Sequence, residues 1–341
     1  MKFQCKSMFW TGNENIIEDE LIIDNVNDDE AVVKVSYCGI CGTDSSIFEG
    51  RHPRSKPPLI LGHEFSGVIE YAKNPALEKG CKVVINPLIS CGKCWPCRNN
   101  LPYVCQNLRL VGIDFNGGFS TYVKANIKNI LQLPEDYDLL YAAIVEPFAT
   151  AVHSFNRSKP ANKEDFIFIY GGGPIGIATA LYFRSKGFNR IYISEMSDYR
   201  REVAKKFDLN VFDPMSEEIF QKVSELTSNK FADIVIEATG ASQPISQMVS
   251  LARVQGKIMI VGVSHKPVNV DLMNVNFKEL KLIGCRVYDN NDFLESINFV
   301  RENKATLKNF ISHVLDLKDL KEGINLARNA KNSLKVVIRV A

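Results

Sequence analysis

Phe166-Ile-Phe-Ile-Tyr170-Gly171-Gly-Gly173-Pro174-Ile175-Gly176 is the stretch that decides the fold. Its unbroken apolar run reads as a strand buried on both faces. The glycines that follow, at G-x-G-x-x-G spacing, read as a tight turn opening a helix that carries Ala178, Leu181 and Tyr182. In that setting glycine lets the backbone approach a pyrophosphate, and the helix N-terminus offers free N–H groups and the positive end of its dipole. Gly171, Gly173, Pro174, Ile175 and Gly176 are therefore expected to hold the phosphates of a dinucleotide. The next strand, Arg190-Ile-Tyr-Ile-Ser194, ends at Glu195. An acid at that distance accepts hydrogen bonds from a ribose diol and repels a 2′-phosphate, so NAD is expected rather than NADP. Arg200, just beyond, is counted with the cofactor contacts.

Strand and helix patterns continue to alternate downstream. A short strand near Asn210-Val-Phe212 is followed by a helix from Ser216, the strand Asp233-Ile-Val-Ile-Glu237, a helix from Gln243, and the strands Gly256–Val261 and Leu280–Ile283. Six strands with helical crossovers make a doubly wound parallel sheet, giving an α/β fold. Ligands of such sheets lie outside the carboxyl ends of the strands. Thr239, Val261, Val263 and Arg286, at or just past those ends, are expected to line the crevice that takes the nicotinamide. The tail adds an amphipathic helix with Phe293, Ile297 and Val300, a helix near Asp319 to Arg328, and a last strand, Lys335-Val-Val-Ile-Arg339, expected to return to the first domain.

The N-terminal half has a different texture. Ala31-Val-Val-Lys-Val-Ser-Tyr37 alternates apolar and polar side chains between glycine and proline turns, as strands do. Cys38-Gly-Ile-Cys-Gly-Thr-Asp44 and Leu61-Gly-His-Glu64 then bring a thiolate, an imidazole and a carboxylate within a short stretch. Mixed sulfur, nitrogen and oxygen donors suit zinc, and a site with few protein ligands leaves a position open for water or substrate. The basic loop Arg51-His-Pro-Arg-Ser-Lys56 between them reads either as a solvated turn or as a cationic rim for a carboxylate or phosphate.

Cys91-Gly-Lys-Cys94-Trp-Pro-Cys97, with Cys105 after a short loop, has the spacing of a closed tetrahedral sulfur cage, whose role is structural because no position stays open. An iron–sulfur cluster uses the same ligands and ranks below zinc. A nucleic-acid zinc ribbon is disfavoured because the flanks lack a basic and aromatic stripe. Glu146, in Ala142-Ala-Ile-Val-Glu146-Pro147-Phe148, is an acid in an apolar segment, costly to bury unless paired or bound to a cation. It is a further candidate for the metal or its surroundings.

The chain has 341 residues, a net charge of +2 and nine cysteines. That length suits two domains, and the near-neutral balance gives no reason to expect nucleic acid or an anionic membrane as partner. The opening residues lack the continuous apolar core of a signal peptide, so a cytoplasmic location is expected. There, nine cysteines read as metal ligands and core residues rather than as a disulfide framework.

With both cysteine clusters and the glycine turn in view, the chain resembles the zinc-dependent medium-chain dehydrogenases along nearly its whole length. The motifs that carry the resemblance are Cys41-Gly-Thr-Asp44, Gly62-His-Glu64, the four later cysteines, Glu146-Pro147 and Gly171 to Gly176. Glu146, where alcohol dehydrogenases carry a cysteine ligand, points to the polyol and sugar-acid branch. The resemblance implies a GroES-like β-rich catalytic domain at 1–149 and 286–341 and a Rossmann domain at 150–285.

It also implies a catalytic zinc on Cys41 and His63, with Glu64 and Glu146 sharing the remaining role, and a structural zinc on Cys91, Cys94, Cys97 and Cys105. Asp44 would orient a ligand, and Thr43 would hydrogen-bond the substrate hydroxyl. Where many relatives place a histidine in the proton relay, this chain has Ser46. Ile47 and Phe48 replace a tyrosine of sorbitol dehydrogenases, while sugar-acid members share an arginine at the place of Arg286. The implied activity is NAD-linked oxidation of a secondary alcohol of a polyol, sugar acid or sugar-alcohol phosphate, by a homotetramer. L-threonine 3-dehydrogenase is the alternative enzyme, and a non-catalytic NAD-binding sensor the alternative from another class.

Overall fold

The computed structural model describes residues 2–341. The chain divides into two compact units. The first comprises residues through Glu146, Phe293–Asn329 and Lys335–Ala341; the second comprises Pro147–Asp292 and Ala330–Leu334.

In the first unit a seven-stranded sheet is built around strand Glu30–Gly39. One neighbour is Glu64–Ala72, another is Tyr122–Asn126, and a third is Lys335–Arg339, all antiparallel to it. The central strand is covered on both faces over most of its length, with Lys34 reaching solvent. Ala31, Val32, Val33 and Val35 are accordingly all buried, beyond what alternation in the sequence implies. The last strand does return to this unit, and pairs in parallel with Ile311–Asp316.

The register draws distant parts of the chain to one place. Gly39 lies opposite Glu64 on one side and opposite Val337 on the other, so three strand ends converge beside residues 38 to 41. A smaller sheet of Asn15–Ile23, Phe3–Gly12 and Leu59–Ile60 leads into Gly62 and His63. The two-stranded ribbon of Leu88–Ile89 and Arg109–Leu110 closes off a lobe carrying the four later cysteines. That lobe has little core of its own: Trp95 is largely exposed.

The second unit holds a six-stranded, all-parallel sheet in the order Asn210–Phe212, Ile191–Ser194, Ile167–Tyr170, Ala232–Glu237, Ala252–Ile260, Lys281–Gly284. The first strand in sequence lies in the middle and the chain winds outward both ways, which is the Rossmann arrangement. Phe166, Phe168, Tyr170, Phe212, Val235 and Ile258 form one core with Ile245, Met248 and Leu251 from the helix Ser242–Leu251. Burying each such side chain stabilises the unit by roughly 1.5–3 kcal/mol. Helix Val145–Ser158 is tied within this unit by buried polar contacts: His153 Nδ1 lies 2.5 Å from Asp292 Oδ2, and Asn156 donates to Asp292 Oδ1 at 2.7 Å.

Candidate metal and nucleotide sites

Strand Glu30–Gly39 ends one residue before Ile40, and the chain turns at Cys41 into the short helix Gly42–Phe48. Asp44 shapes that turn. Its Oδ2 accepts the Cys41 N–H at 2.8 Å, its Oδ1 accepts the Gly62 N–H at 3.2 Å, and Oδ1 stands 3.7 Å from His63 Nδ1. One buried carboxylate thus fixes the two loops that carry Cys41 and His63. Gly62, at φ +94°, leaves no room for a side chain, since a Cβ there would fall 2.6 Å from Cys38 Sγ.

One sulfur of Cys41, one ring nitrogen of His63 and one carboxylate oxygen of Glu64 lie within 4.8 Å of one another. The electrostatics favour a cation among them. Burial pushes the Cys38 thiol well up, and the charges of Asp44 and Glu64 add to that rise. Burial alone would lower the His63 pKa, yet the Cys41 thiolate and Asp44 hold it well above its usual value. The donor types, their separation and the negative surroundings fit zinc. Glu146 is buried but falls outside the three-donor group, although its charge still helps to hold up the pKa of His63. Thr43 Oγ1 is 3.7 Å from Cys41 Sγ, and Ser46 is buried one turn further along the helix.

Sequence reading missed Lys335. It is 1% exposed, pairs with Glu64 Oε2 and donates to the Ile40 carbonyl at 2.9 Å. Desolvation would depress its pKa, but Glu64 and then Cys41 hold it up. The available signal was a lysine opening an otherwise apolar strand. Gly39 makes room for the pair, because a Cβ there would collide with Glu64 Oε2 and approach Lys335 Cε to 3.0 Å.

Two cations of the exposed basic loop are partnered: Arg51 pairs with Glu49, and Arg54 pairs with Asp114 at 3.2 Å and donates to the Leu108 carbonyl at 2.7 Å. Arg54 thereby ties the loop to the lobe of the four cysteines. Their sulfurs cluster within 4.8 Å, with Cys94 to Cys97 at 3.4 Å and Cys94 to Cys105 at 3.7 Å, and all four are unbridged. Backbone N–H groups of Lys93 and Cys94 bring the Cys91 thiol down to about 6, while desolvation, with Cys94 and Cys105 adding to it, pushes Cys97 up to about 12. Four sulfurs at such distances fit a tetrahedral zinc site.

In the second unit the glycine turn has the shape its sequence requires. Gly171 takes φ +95°, and a Cβ at Gly176 would collide with the Gly171 carbonyl. Gly173 caps the helix Pro174–Ser185, with Pro174 and Ile175 in its first turn. Glu195 is buried, with Oε2 accepting the Gly172 N–H at 2.7 Å and Oε1 accepting that of Ser197 at 2.7 Å. Arg200 lies beside the turn, within 3.4 Å of a Cβ built on Gly173, and donates to the Ser333 carbonyl at 3.2 Å. At the far strand ends Thr239, Val263 and Arg286 are exposed and Val261 is half-buried. Arg286 precedes Val287, a β-branched residue at φ +45°, a strained backbone of the kind that clusters at functional sites.

Residues 27–135 match the alcohol dehydrogenase GroES-like domain and residues 174–302 the zinc-binding dehydrogenase family. The chain is 35% identical over 310 residues to a 2-dehydro-3-deoxy-L-galactonate 5-dehydrogenase of Pseudoalteromonas atlantica, covering 89% of this chain and 90% of that one. A crystal structure of a zinc-binding dehydrogenase of Sinorhizobium meliloti, bound to NADP, superposes with a TM-score of 0.90 at 27% identity, over 99% of both chains. Another, an alcohol dehydrogenase of Escherichia coli complexed with NADH, gives 0.90 at 28% identity over 98% of this chain and 99% of that one. Two domain matches, a relative of this similarity and both cysteine clusters on one chain lead to a single conclusion: the protein belongs to the zinc-dependent medium-chain dehydrogenases, in their polyol and sugar-acid branch.

Proposed function

We propose that the chain oxidises a secondary alcohol of a sugar acid, polyol or sugar-alcohol phosphate to the ketone, with NAD as hydride acceptor and zinc held by Cys41, His63 and Glu64. The observation that carries this reading is the gathering of three unlike donors within 4.8 Å beside Thr43. Bound zinc supplies Lewis acidity, which lowers the pKa of a water from about 15.7 to about 7 and acts likewise on an alcohol. Thr43 accepts a hydrogen bond from the substrate hydroxyl and starts its proton outward, with Ser46 as the next hydroxyl on the same helix. Asp44 keeps the Cys41 and His63 loops in register, and Glu146 adds negative charge beside them. Cys91, Cys94, Cys97 and Cys105 hold a second, structural zinc.

On the nucleotide side, Glu195 favours NAD over NADP by accepting a ribose diol and repelling a 2′-phosphate. Among substrates, an anionic sugar acid fits best. Arg286 is exposed and no described residue engages its guanidinium, and the Pseudoalteromonas relative is named for a sugar acid. The same reading takes the protein as a cytoplasmic homotetramer. All nine cysteines are free, as suits a reducing compartment, and no described helix is long and apolar enough to cross a membrane. The test is NADH formation by zinc-loaded protein over a panel of sugar acids, sugar-alcohol phosphates, neutral polyols and L-threonine. Turnover confined to the sugar acids and phosphates, lost in Arg286→Ala, is expected; turnover on L-threonine alone would refute it.

A further inference from the structure

Glu237 closes the strand Ala232–Glu237, opposite Tyr170 in register, at the point where the strand order of the parallel sheet reverses. It is 0% exposed. Its Oε1 accepts the Thr239 N–H at 2.7 Å and the Gly240 N–H at 3.0 Å, its Oε2 lies 3.1 Å from the same Gly240 nitrogen, and the Thr239 hydroxyl donates to Oε1. A Cβ on Gly262 would come 2.6 Å from Oε2, and one on Gly171 would come 2.8 Å from Thr239 Cγ2. The carboxylate therefore sits among the glycine turn and the loops after two strands. None of the described lysines, arginines or histidines pairs with it, so only neutral donors meet its charge. That charge is felt nearby: burial, and then Glu237, push the Tyr170 hydroxyl up.

We propose that Glu237 is a positioning and electrostatic residue of the nucleotide site, which favours the oxidised, cationic nicotinamide over the reduced, neutral one. The proposal rests on the dinucleotide reading of this unit. Ligands of doubly wound sheets bind outside the strand ends at the reversal of strand order, which is where this carboxylate lies. A carboxylate buried without a counter-ion is screened by water and salt much less than an exposed one, so it discriminates between a ring carrying a positive charge and one carrying none. The N–H and hydroxyl bonds do a second task, holding the Thr239–Gly240 loop in the one shape the neighbouring glycines admit.

The test is calorimetric binding of NAD+, NADH and ADP-ribose to the full-length, zinc-loaded protein and to Glu237→Gln. ADP-ribose lacks the nicotinamide and reports the rest of the site. The substitution is expected to weaken NAD+ relative to NADH by about tenfold, or ~1.4 kcal/mol, with ADP-ribose affinity unchanged. Should Glu237→Gln fail to fold, Thr239→Lys sets an ammonium against the same carboxylate and is expected to lower the NAD+ to NADH affinity ratio; only that ratio is read in this variant, because Thr239 itself packs against the glycine turn. The conservative Glu237→Asp, which keeps the charge, should keep the wild-type ratio. An unchanged NAD+ to NADH ratio in Glu237→Gln, or a fall of all three ligands together, overturns the proposal while leaving the dinucleotide reading intact. Wild-type protein that binds none of the three overturns that reading and the proposal with it.

Discussion

Lys335 and Glu64 form an ion pair sealed inside the first unit, at the place where three strand ends meet and the three metal donors gather. Removing one partner of a buried pair leaves the other charge without compensation, at a cost of about 3–5 kcal/mol. Lys335→Met should therefore lower the denaturation midpoint of the metal-free protein by a corresponding amount. Lys335→Arg keeps the charge but must fit a broader group beside Gly39, and should fall in between. A wild-type midpoint in Lys335→Met would mean that the pair contributes nothing.

Asp44 acts on the metal through others, by taking the N–H groups of Cys41 and Gly62. Groups that orient metal ligands typically change affinity by about 10–100-fold when removed. Asp44→Ala should weaken zinc at the Cys41 site by that factor in competition with a chelating dye, and leave the four-cysteine site as it was.

Much of this was legible locally. Cys91 to Cys105 and Gly171 to Gly176 are short-range patterns in which spacing alone dictates geometry, and the structure brings each set together. Lys335 was not legible, because its contact with Ile40 joins residues 295 positions apart and exists only once the last strand pairs with Glu30–Gly39. Nor was the fate of Arg54: charge in a loop says nothing of Asp114, which the fold brings alongside. Glu237 read as the end of a strand, and its role came from loops that only the assembled sheet sets against each other.

In the second unit, Asp292 gives a pH signature. Burial works against its charge, but His153, the Asp289 backbone and Asn156 hold its carboxyl below the usual range. A depressed folded-state pKa contributes stability that is fully present above the unfolded value of about 3.9 and is lost as pH falls through the folded value. Asp292→Asn should be less stable than wild type at neutral pH, and the gap should narrow in acid below about pH 4. Urea denaturation at several pH values measures it. A gap independent of pH would show that the carboxylate charge is immaterial.

Gly171 is held at φ +95° with no space toward Thr239. Alanine there must either take a left-handed backbone, costing roughly 1–2 kcal/mol, or move the loop. Gly171→Ala is expected to weaken ADP-ribose and NAD alike by about tenfold or more, the equivalent of at least ~1.4 kcal/mol, as read by calorimetry. Unaltered affinity for both would show that the turn does not approach the phosphates.

The most direct measurement of the central claim is zinc content per chain, with turnover followed in the same preparations, for wild type, Cys41→Ser and Cys97→Ser. Wild type should hold two zinc ions per chain. Cys41→Ser should retain the ion of the four-cysteine lobe, keep its fold and lose NADH formation, whereas Cys97→Ser should first lose stability. Full zinc-dependent turnover in Cys41→Ser would contradict the assignment of Cys41, His63 and Glu64 as the catalytic metal site.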